Sequence, residues 1–222
     1  QFDPLDALAV LARELHELGG VLVEGARLTA AGRKGPFTLT TTRGEVRAER
    51  LVLATGSTVL DRSGHPERTV PHRSYAMTYR VPAGAWVPHG MHISADAPDR
   101  TLRSVPLGAE ELLLVGGGDH VTGRAASPAQ RIDELHDWAL ELVPGAERTH
   151  VWAAQDYHSA SGLPLVGALP GSDGTLVAAT GFAKWGMTNG VAAAFAMTGL
   201  LTEDVILERV HVVTQVAVGE RY

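Results

Sequence analysis

Residues 180–190 read Thr-Gly-Phe-Ala-Lys-Trp-Gly-Met-Thr-Asn-Gly, and this stretch is the most informative feature of the chain. An apolar run over 176–179 precedes it, and a second apolar run over 191–197 follows it. The pattern predicts a strand, a glycine-rich loop and a helix, in that order. The backbone N–H groups in the first turn of a helix have no intrahelical partner, and the helix dipole adds partial positive charge there. The stretch therefore predicts a site for an anion or a polarised carbonyl.

Composition bounds the class of protein before any motif is considered. The 222 residues are 45% hydrophobic and 20% charged, carry a net charge of −6 and include no cysteine. These values are typical of a soluble protein with one large or two small domains. The negative charge argues against nucleic acid or an anionic membrane as a partner, and the longest nearly apolar run, 191–201, is too short to span a bilayer. We expect a cytoplasmic protein without disulfides or cysteine-ligated metal.

The start of the chain predicts a capped helix followed by strands. Asp3 is suited to an N-cap, Pro4 to the first helical position, and Gly19-Gly20 to the end of the helix. A strand is predicted over 21–23 and a hairpin over 37–41 and 46–48. The apolar face of the helix is made by leucines at helical spacing: Leu5, Leu8, Leu11, Leu15 and Leu18.

A short apolar run over 51–54 ends in Thr55-Gly56. Such a run predicts a buried, central, parallel strand with a loop at its carboxyl end. Further along, short strand-like pieces without intervening helices predict an antiparallel sheet. One amphipathic helix over 128–143 and a strand over 149–155 complete this region. The predicted strands of the sheet cover 75–81, 91–94, 101–105 and 111–115.

Two other motifs invite a functional interpretation that their surroundings do not support. Gly116-Gly117-Gly118 follows an apolar run, but the next glycine is displaced to Gly123 and a loop follows, so a glycine-rich turn is favoured over a dinucleotide-binding motif. Ten histidines suggest metal binding, with His89 and His92 closely spaced. Because a metal centre needs three or four convergent ligands, we predict structural or surface histidines and no metal site.

Three stretches, taken together and in register, resemble one known family. They are 51–56, the segment Gly-Leu-Pro-Leu-Val-Gly at 162–167, and the loop and helix that begin at Thr180. All three are similar to segments of FAD-dependent oxidoreductases of the D-amino-acid oxidase type, a family that includes glycine and sarcosine oxidases, although Ser161 stands where the family usually has Asp. The form Gly-Phe-x-Lys-Trp-Gly-Met-Thr-Asn-Gly is closest to the branch that often carries a C-terminal Rieske domain. The resemblance covers residues 1–202.

The resemblance implies a mixed α/β fold (α/β with α+β features). Residues 1–69 and 150–202 would form part of a Rossmann-like FAD-binding domain, and residues 70–149 an antiparallel-sheet substrate domain with one helix. The tail, 203–222, includes a strand-like run over 210–216 and is left unassigned. The family's N-terminal Gly-x-Gly-x-x-Gly unit is missing from this sequence, so we expect a fragment of a longer protein that is inactive by itself. A Rieske domain or another electron-transfer partner would belong to the parent protein, and the oligomeric state is not predicted.

The resemblance also implies which residues bind the cofactor, FAD, and the small-molecule substrate. Lys184 would place positive charge near the flavin as a catalytic group, with a solvated lysine as the alternative. Arg73, Tyr75, Tyr79 and Arg103 are the candidate substrate contacts, with Arg80 on the opposite strand face from Arg73, Tyr75 and Tyr79. The candidate FAD-binding residues are Thr55, Gly56, Gly162, Leu163, Pro164, Gly181, Phe182, Trp185, Gly186, Met187, Thr188 and Asn189.

The reaction implied by the resemblance is oxidation of a small amine, an amino acid or a related compound by hydride transfer to FAD. Two alternatives remain open at this point. The chain could be a non-catalytic binding or regulatory module that keeps the fold without the cofactor. It could also be a subunit that completes its flavin site with a partner chain.

Overall fold

A computed structural model describes residues 2–57, 69–124 and 127–202. The fold is mixed α/β, as predicted. Within the described residues, no helix is long and apolar enough to cross a membrane. The elements are α1 (Pro4–Glu17), β1 (Leu28–Ala30), β2 (Phe37–Thr41), β3 (Gly44–Ala48), β4 (Leu51–Leu53), β5 (Thr69–Arg80), β6 (Met91–Ile93), β7 (Arg100–Leu107), β8 (Glu110–Val121), α2 (Pro128–Leu142), β9 (Glu147–Ser159), β10 (Leu165–Ala168), β11 (Leu176–Thr180) and α3 (Gly186–Thr202).

The chain divides into two compact units, which we name by their place in the sequence. Among the described residues, the central unit comprises 71–155 and the flanking unit combines 2–70 with 156–202. Each unit has its own hydrophobic core.

The flanking unit is built around β11, whose residues are all buried. This strand pairs parallel with β4 and antiparallel with β10. One face of the resulting sheet packs with Phe37 of β2, which is 1% exposed, and the other packs with Ala193 and Met197 of α3. Because both faces are covered, residues 176–179 of β11 can all be apolar, as the sequence predicted.

Three sequence predictions in the flanking unit differ from the structure. Residues 21–23 form no strand. Their side chains are exposed, so they lack the packing against neighbouring strands or a core that favours apolar residues in a strand. Residues 51–53 are parallel as predicted, but among the described strands β4 lies at the edge and β11 is central. Helix α3 begins at Gly186, five residues before the apolar run at 191. The strand-like run at 210–216 lies outside the described residues.

The central unit is a five-stranded sheet in the order β6-β7-β8-β5-β9, covered on one face by α2. The pairs β6–β7, β7–β8 and β5–β8 are antiparallel, which confirms the predicted sheet type. Helix α2 buries Leu135 and Ala139. They join a core whose fully buried members include Met77, Leu113 and Val115.

The triple glycine at 116–118 lies inside β8, so the prediction of a glycine-rich turn was wrong. Close packing accounts for two of the glycines, because a Cβ on Gly116 would lie 2.5 Å from the Thr101 hydroxyl and one on Gly117 would lie 3.0 Å from Leu135 Cδ1. Gly118 has φ 69°, beside a register shift in the pairing of β5 with β8. Helix α2 does not open directly after these glycines, so they do not form a dinucleotide-binding motif.

Candidate functional site

The three stretches that the sequence singled out meet at one edge of the β10-β11-β4 sheet. Strands β4 and β11 run parallel, so their carboxyl ends lie at the same edge. Strand β10 runs antiparallel and pairs Leu165 with Thr180, which brings the start of β10 to this edge as well. Residues 55–56, 162–164 and 181–186 therefore all lie outside the carboxyl ends of the parallel pair. In open α/β sheets, ligands bind at such an edge.

Direct contacts join the loop after β4 to β11 and to the last residues of β9. The Thr180 hydroxyl donates a hydrogen bond to the carbonyl oxygen of Gly56. Gly56 has φ 73°, a conformation that favours glycine, and a Cβ there would lie 3.5 Å from the Tyr157 ring. The distance to Tyr157 is an ordinary van der Waals contact, so the positive φ is what favours glycine at this turn. Thr55 is exposed at the same turn.

The turn at 159–163 is held by the buried Ser159, whose side chain is 8% exposed. Its hydroxyl donates to the Leu163 carbonyl oxygen at 2.5 Å, and its carbonyl accepts from the Gly162 N–H at 3.1 Å. Gly162 has φ 75°, which closes the turn. These bonds leave Leu163 40% exposed at the sheet edge, directly before Pro164.

The segment after β11, residues 181–185, is called the glycine loop below. Gly181 is buried with φ 75°, and a Cβ there would lie 3.2 Å from Ser159 Cβ, so the loop passes close to the end of β9. Two further residues of the loop have positive φ although they are not glycine: Ala183 has φ 47° and Lys184 has φ 70°. Non-glycine residues with positive φ are uncommon and concentrate at functional sites. The loop closes with a hydrogen bond from the Trp185 N–H to the Phe182 carbonyl at 2.9 Å.

Helix α3 starts at the end of the glycine loop. The Asn189 N–H donates to the Trp185 carbonyl at 2.8 Å, which makes Trp185 the residue that precedes the first helical turn. The N–H groups of Gly186, Met187 and Thr188 accordingly belong to the part of a helix that lacks intrahelical acceptors. Trp185 and Met187 are 64% and 50% exposed. This helix start can therefore receive a group that carries negative charge.

Two residues that the sequence interpretation missed lie against the glycine loop. Lys184 Nζ is 2.7 Å from Asp156 Oδ2, and His158 Nε2 is 2.7 Å from Asp156 Oδ1. Lys184 is thus ion-paired. The sequence had suggested either a catalytic cation near the flavin or a solvated lysine, and neither interpretation included an ion pair. Residues 156 and 158 lie on one face of β9, because side chains alternate along a strand. The spacing Asp-x-His at the end of a predicted strand was the available signal.

The candidate substrate residues belong to the central unit and differ in their accessibility. Tyr75 and Tyr79 are 5% and 0% exposed and lie in the core beneath α2, and Arg73 is exposed beyond a register shift. Simple alternation placed Arg73, Tyr75 and Tyr79 on one accessible face of the strand. The structure shows that they do not share such a face. Arg103 is half-buried in β7, and Arg80 is paired with Glu110 at 3.0 Å.

The Tyr79 hydroxyl is fully engaged inside the central unit. It lies 2.9 Å from His136 Nδ1, and the two rings are stacked with their centroids 5.7 Å apart. Burial raises the pKa of Tyr79, with Arg148 acting in the opposite direction and Asp137 in the same one. This tyrosine fixes α2 to the sheet, and its hydroxyl is not directed to solvent.

Comparison with known proteins identifies the family. Residues 1–200 match the DAO family, described as FAD dependent oxidoreductase, and the chain belongs to that family. A Bacillus subtilis protein named as a Rieske 2Fe-2S iron–sulfur protein, YhfW, is 26% identical over 203 residues, which cover 90% of this chain and 40% of that protein.

Solved structures of amino-acid oxidases share the fold. Glycine oxidase from Geobacillus kaustophilus superimposes with a TM-score of 0.66 at 20% identity, over 91% of this chain and 57% of that one. NikD, an unusual amino acid oxidase essential for nikkomycin biosynthesis, gives a TM-score of 0.71 at 16% identity, over 93% of this chain and 58% of that one. The chain thus spans less than two thirds of the length of these relatives. The cofactor of the family is FAD.

Proposed function

We propose that this chain supplies the flavin-loop and substrate-sheet parts of an oxidoreductase that oxidises a small amine or amino acid by hydride transfer to FAD. The observation that carries the proposal is the convergence of 55–56, 162–164 and 181–186 at one sheet edge, with the start of α3 beside them. Membership of the DAO family and the fold shared with glycine oxidase support it.

The residues at this edge fit a flavin by their chemistry. A flavin ring presents a polarised carbonyl edge that becomes negatively charged on reduction, and the first amides of α3 suit such a group. Gly186 and Gly190 carry no side chain at the start of α3, and the space beside Gly190 is open, since a Cβ there would meet nothing within 4 Å. Gly181, Phe182 and the residues from Trp185 to Asn189 would hold the ring, with Thr55, Gly56 and the 162–164 turn beside it.

Several groups of this chain would stabilise the negative charge that develops on the flavin during reduction. Bound FAD supplies the hydride acceptor. The amides of Gly186, Met187 and Thr188 place fixed partial positive charge where negative charge develops, an electrostatic preorganisation that needs no rearrangement during the reaction. Lys184 adds a cation that Asp156 holds at 2.7 Å. Exposed Trp185 and Met187 supply an apolar surface that excludes water from the ring.

For substrate recognition we retain the two arginines and set the two tyrosines aside. Arg103 and Arg73 are accessible, and a guanidinium can bind a substrate carboxylate through two parallel hydrogen bonds. Tyr75 and Tyr79 are buried in the core, so contact with a substrate would require α2 to move. The central unit is accordingly the proposed substrate domain, recognising a small carboxylate-bearing amine.

The likeness to a protein named for a Rieske centre suggests how electrons leave the flavin. We propose an iron–sulfur electron acceptor, either on the same polypeptide or on a partner. Its ligands lie outside this sequence, which has no cysteine.

The test is a flavin titration of the purified full-length protein that contains this chain, followed by anaerobic addition of small amino acids and secondary amines. We expect bound FAD, and loss of its visible absorption with at least one compound. Lys184→Met should slow this reduction, and Lys34→Met, a change on an exposed lysine elsewhere in the flanking unit, should not. A protein that binds no FAD would favour the non-catalytic module, and bound FAD that no amine reduces would contradict the proposed substrate class.

A further inference from the structure

Three consecutive residues at the end of β9 contact three consecutive residues of the glycine loop. The Tyr157 carbonyl accepts a hydrogen bond from the Ala183 N–H at 3.1 Å. His158 forms an antiparallel backbone bridge with Phe182. The Asp156 carboxylate lies 2.7 Å from Lys184 Nζ. The segment Asp156–His158 thus contacts the glycine loop through both backbone and side chain, and we call it the β9 clamp.

The glycine loop needs such a clamp because of its backbone conformation. Ala183 and Lys184 have φ 47° and φ 70°, where the side chain of an L-residue crowds its own carbonyl. The left-handed conformation is unfavourable for every residue other than glycine. Two such residues in succession persist only where surrounding contacts determine them. The Tyr157 carbonyl fixes the first residue, and the Asp156 carboxylate fixes the second.

Each carboxylate oxygen of Asp156 has a close neighbour. Oδ2 receives the Lys184 ammonium, and Oδ1 lies 2.7 Å from His158 Nε2. The Asp156 side chain is 21% exposed and that of Lys184 is 42% exposed, so the pair is less screened than a fully solvated one. The hydrogen bond from Lys184 to Oδ2 can therefore define where the lysine lies.

We infer that Asp156 is a positioning residue that holds Lys184, and with it the glycine loop, in the conformation that presents the first amides of α3. The inference rests on the proposed function only in naming FAD as the group that receives those amides. The conformational part concerns contacts within the flanking unit and can be measured without flavin.

Hydrogen–deuterium exchange of the amides of residues 183–188, in the protein without added flavin, tests the conformational part. We expect Asp156→Asn and Lys184→Met each to speed this exchange about threefold, the size that one partly exposed ion pair provides. The double variant should exchange no faster than the faster single variant, because both changes remove the same contact. Lys184→Arg keeps the ion pair and should retain the wild-type exchange.

A matched control exists in the same unit. Asp173 is also an ion-paired aspartate, with Lys34 as its partner. In this pair the aspartate is the residue with a left-handed backbone, at φ 50°. It precedes β11, whereas the glycine loop follows that strand. Asp173→Asn should leave exchange at 183–188 unchanged, so an effect of Asp156→Asn cannot be assigned to general loosening by loss of an aspartate.

FAD titration of the same variants tests the link to the cofactor. Asp156→Asn should weaken FAD binding about threefold in the presence of Lys184 and leave it unchanged in the Lys184→Met background. Additive effects, or unchanged loop exchange in Asp156→Asn, would overturn the positioning role. If the wild-type protein binds no FAD, the proposed function fails, and the exchange data still decide the role of Asp156.

Discussion

Helices α1 and α2 begin alike and have different surroundings. Asp3 accepts a hydrogen bond from the Leu5 N–H at 2.8 Å, Ser127 accepts one from the Gln130 N–H at 3.3 Å, and each helix has proline in its first turn. Helix α2 buries Leu135 and Ala139 against the sheet of the central unit. Helix α1, which is described over its full length, buries no residue, and the side chains of its leucine stripe are all exposed.

The difference separates what forms a helix from what stabilises it. Caps and apolar spacing are local; the sequence predicted both for α1 and the apolar spacing for α2. Burial depends on an opposing surface, which α2 finds in Met77, Leu113 and Val115, with Gly117 making room for Leu135. A helix of 14 residues, such as α1, is marginal in water when propensity alone supports it. Tertiary packing should therefore contribute far more to α2 than to α1.

The largest expected effect comes from truncating the buried face of α2. Leu135→Ala removes a side chain that is 3% exposed and leaves a cavity between the helix and the sheet. Such truncations cost about 2–5 kcal/mol of unfolding free energy. Equilibrium urea unfolding, followed by circular dichroism, measures this loss.

Leu8→Ala in α1 is the matched control, since Leu8 is 54% exposed in a helix of similar design. Its cost should stay within about 0.5 kcal/mol, as for other surface changes. Equal losses of unfolding free energy in the two variants would contradict the contrast between α1 and α2. They would show that the leucine-bearing face of α1 is buried in solution.

The same contrast explains how much of the fold the sequence predicted. The β2–β3 hairpin, helix α2 and the antiparallel sheet carry their signals locally, in periodicity and turn residues. Residues 21–23 look like a strand by composition but have no surface to cover. The glycines at 116–118 look like a turn, whereas their small size serves contacts with Thr101 and Leu135 that are distant in sequence.

The candidate site was predictable where one stretch contains it and not where tertiary contacts build it. The glycine loop and the start of α3 form a continuous motif, and the structure brings 55–56 and 162–164 to the same edge through strand pairing. Asp156 was missed because its role depends on Lys184, which lies 28 positions further along the chain. The burial of Tyr79 was missed because alternation assigns a face and does not say which face the helix covers.

A smaller effect is expected from removing the helix caps. Ser127→Ala should lower the unfolding free energy by about 1 kcal/mol, because α2 is part of the cooperative core and its cap contributes to global stability. Asp3→Ala should leave the global value unchanged and instead speed amide exchange in the first turn of α1, since a helix without buried residues frays locally. Urea unfolding and peptide-resolved exchange on both variants measure the two outcomes. A global loss of similar size for Asp3→Ala would contradict the local character of α1.

The smallest expected effect is a fall in the unfolding free energy at alkaline pH, caused by Tyr79 in the contact between α2 and the sheet. Burial raises the pKa of Tyr79 above its ordinary value of about 10, so the folded protein keeps this proton after the unfolded chain has lost it. The contribution of Tyr79 to stability is therefore complete below about pH 10 and declines as pH rises through the folded-state pKa. Tyr79→Phe should flatten the fall in unfolding free energy above pH 10, on top of a loss of about 1 kcal/mol at neutral pH for the hydrogen bond to His136. The Leu8→Ala variant should keep the wild-type alkaline slope because α1 buries no titrating group, and an unchanged slope in Tyr79→Phe would assign the pH dependence to another residue.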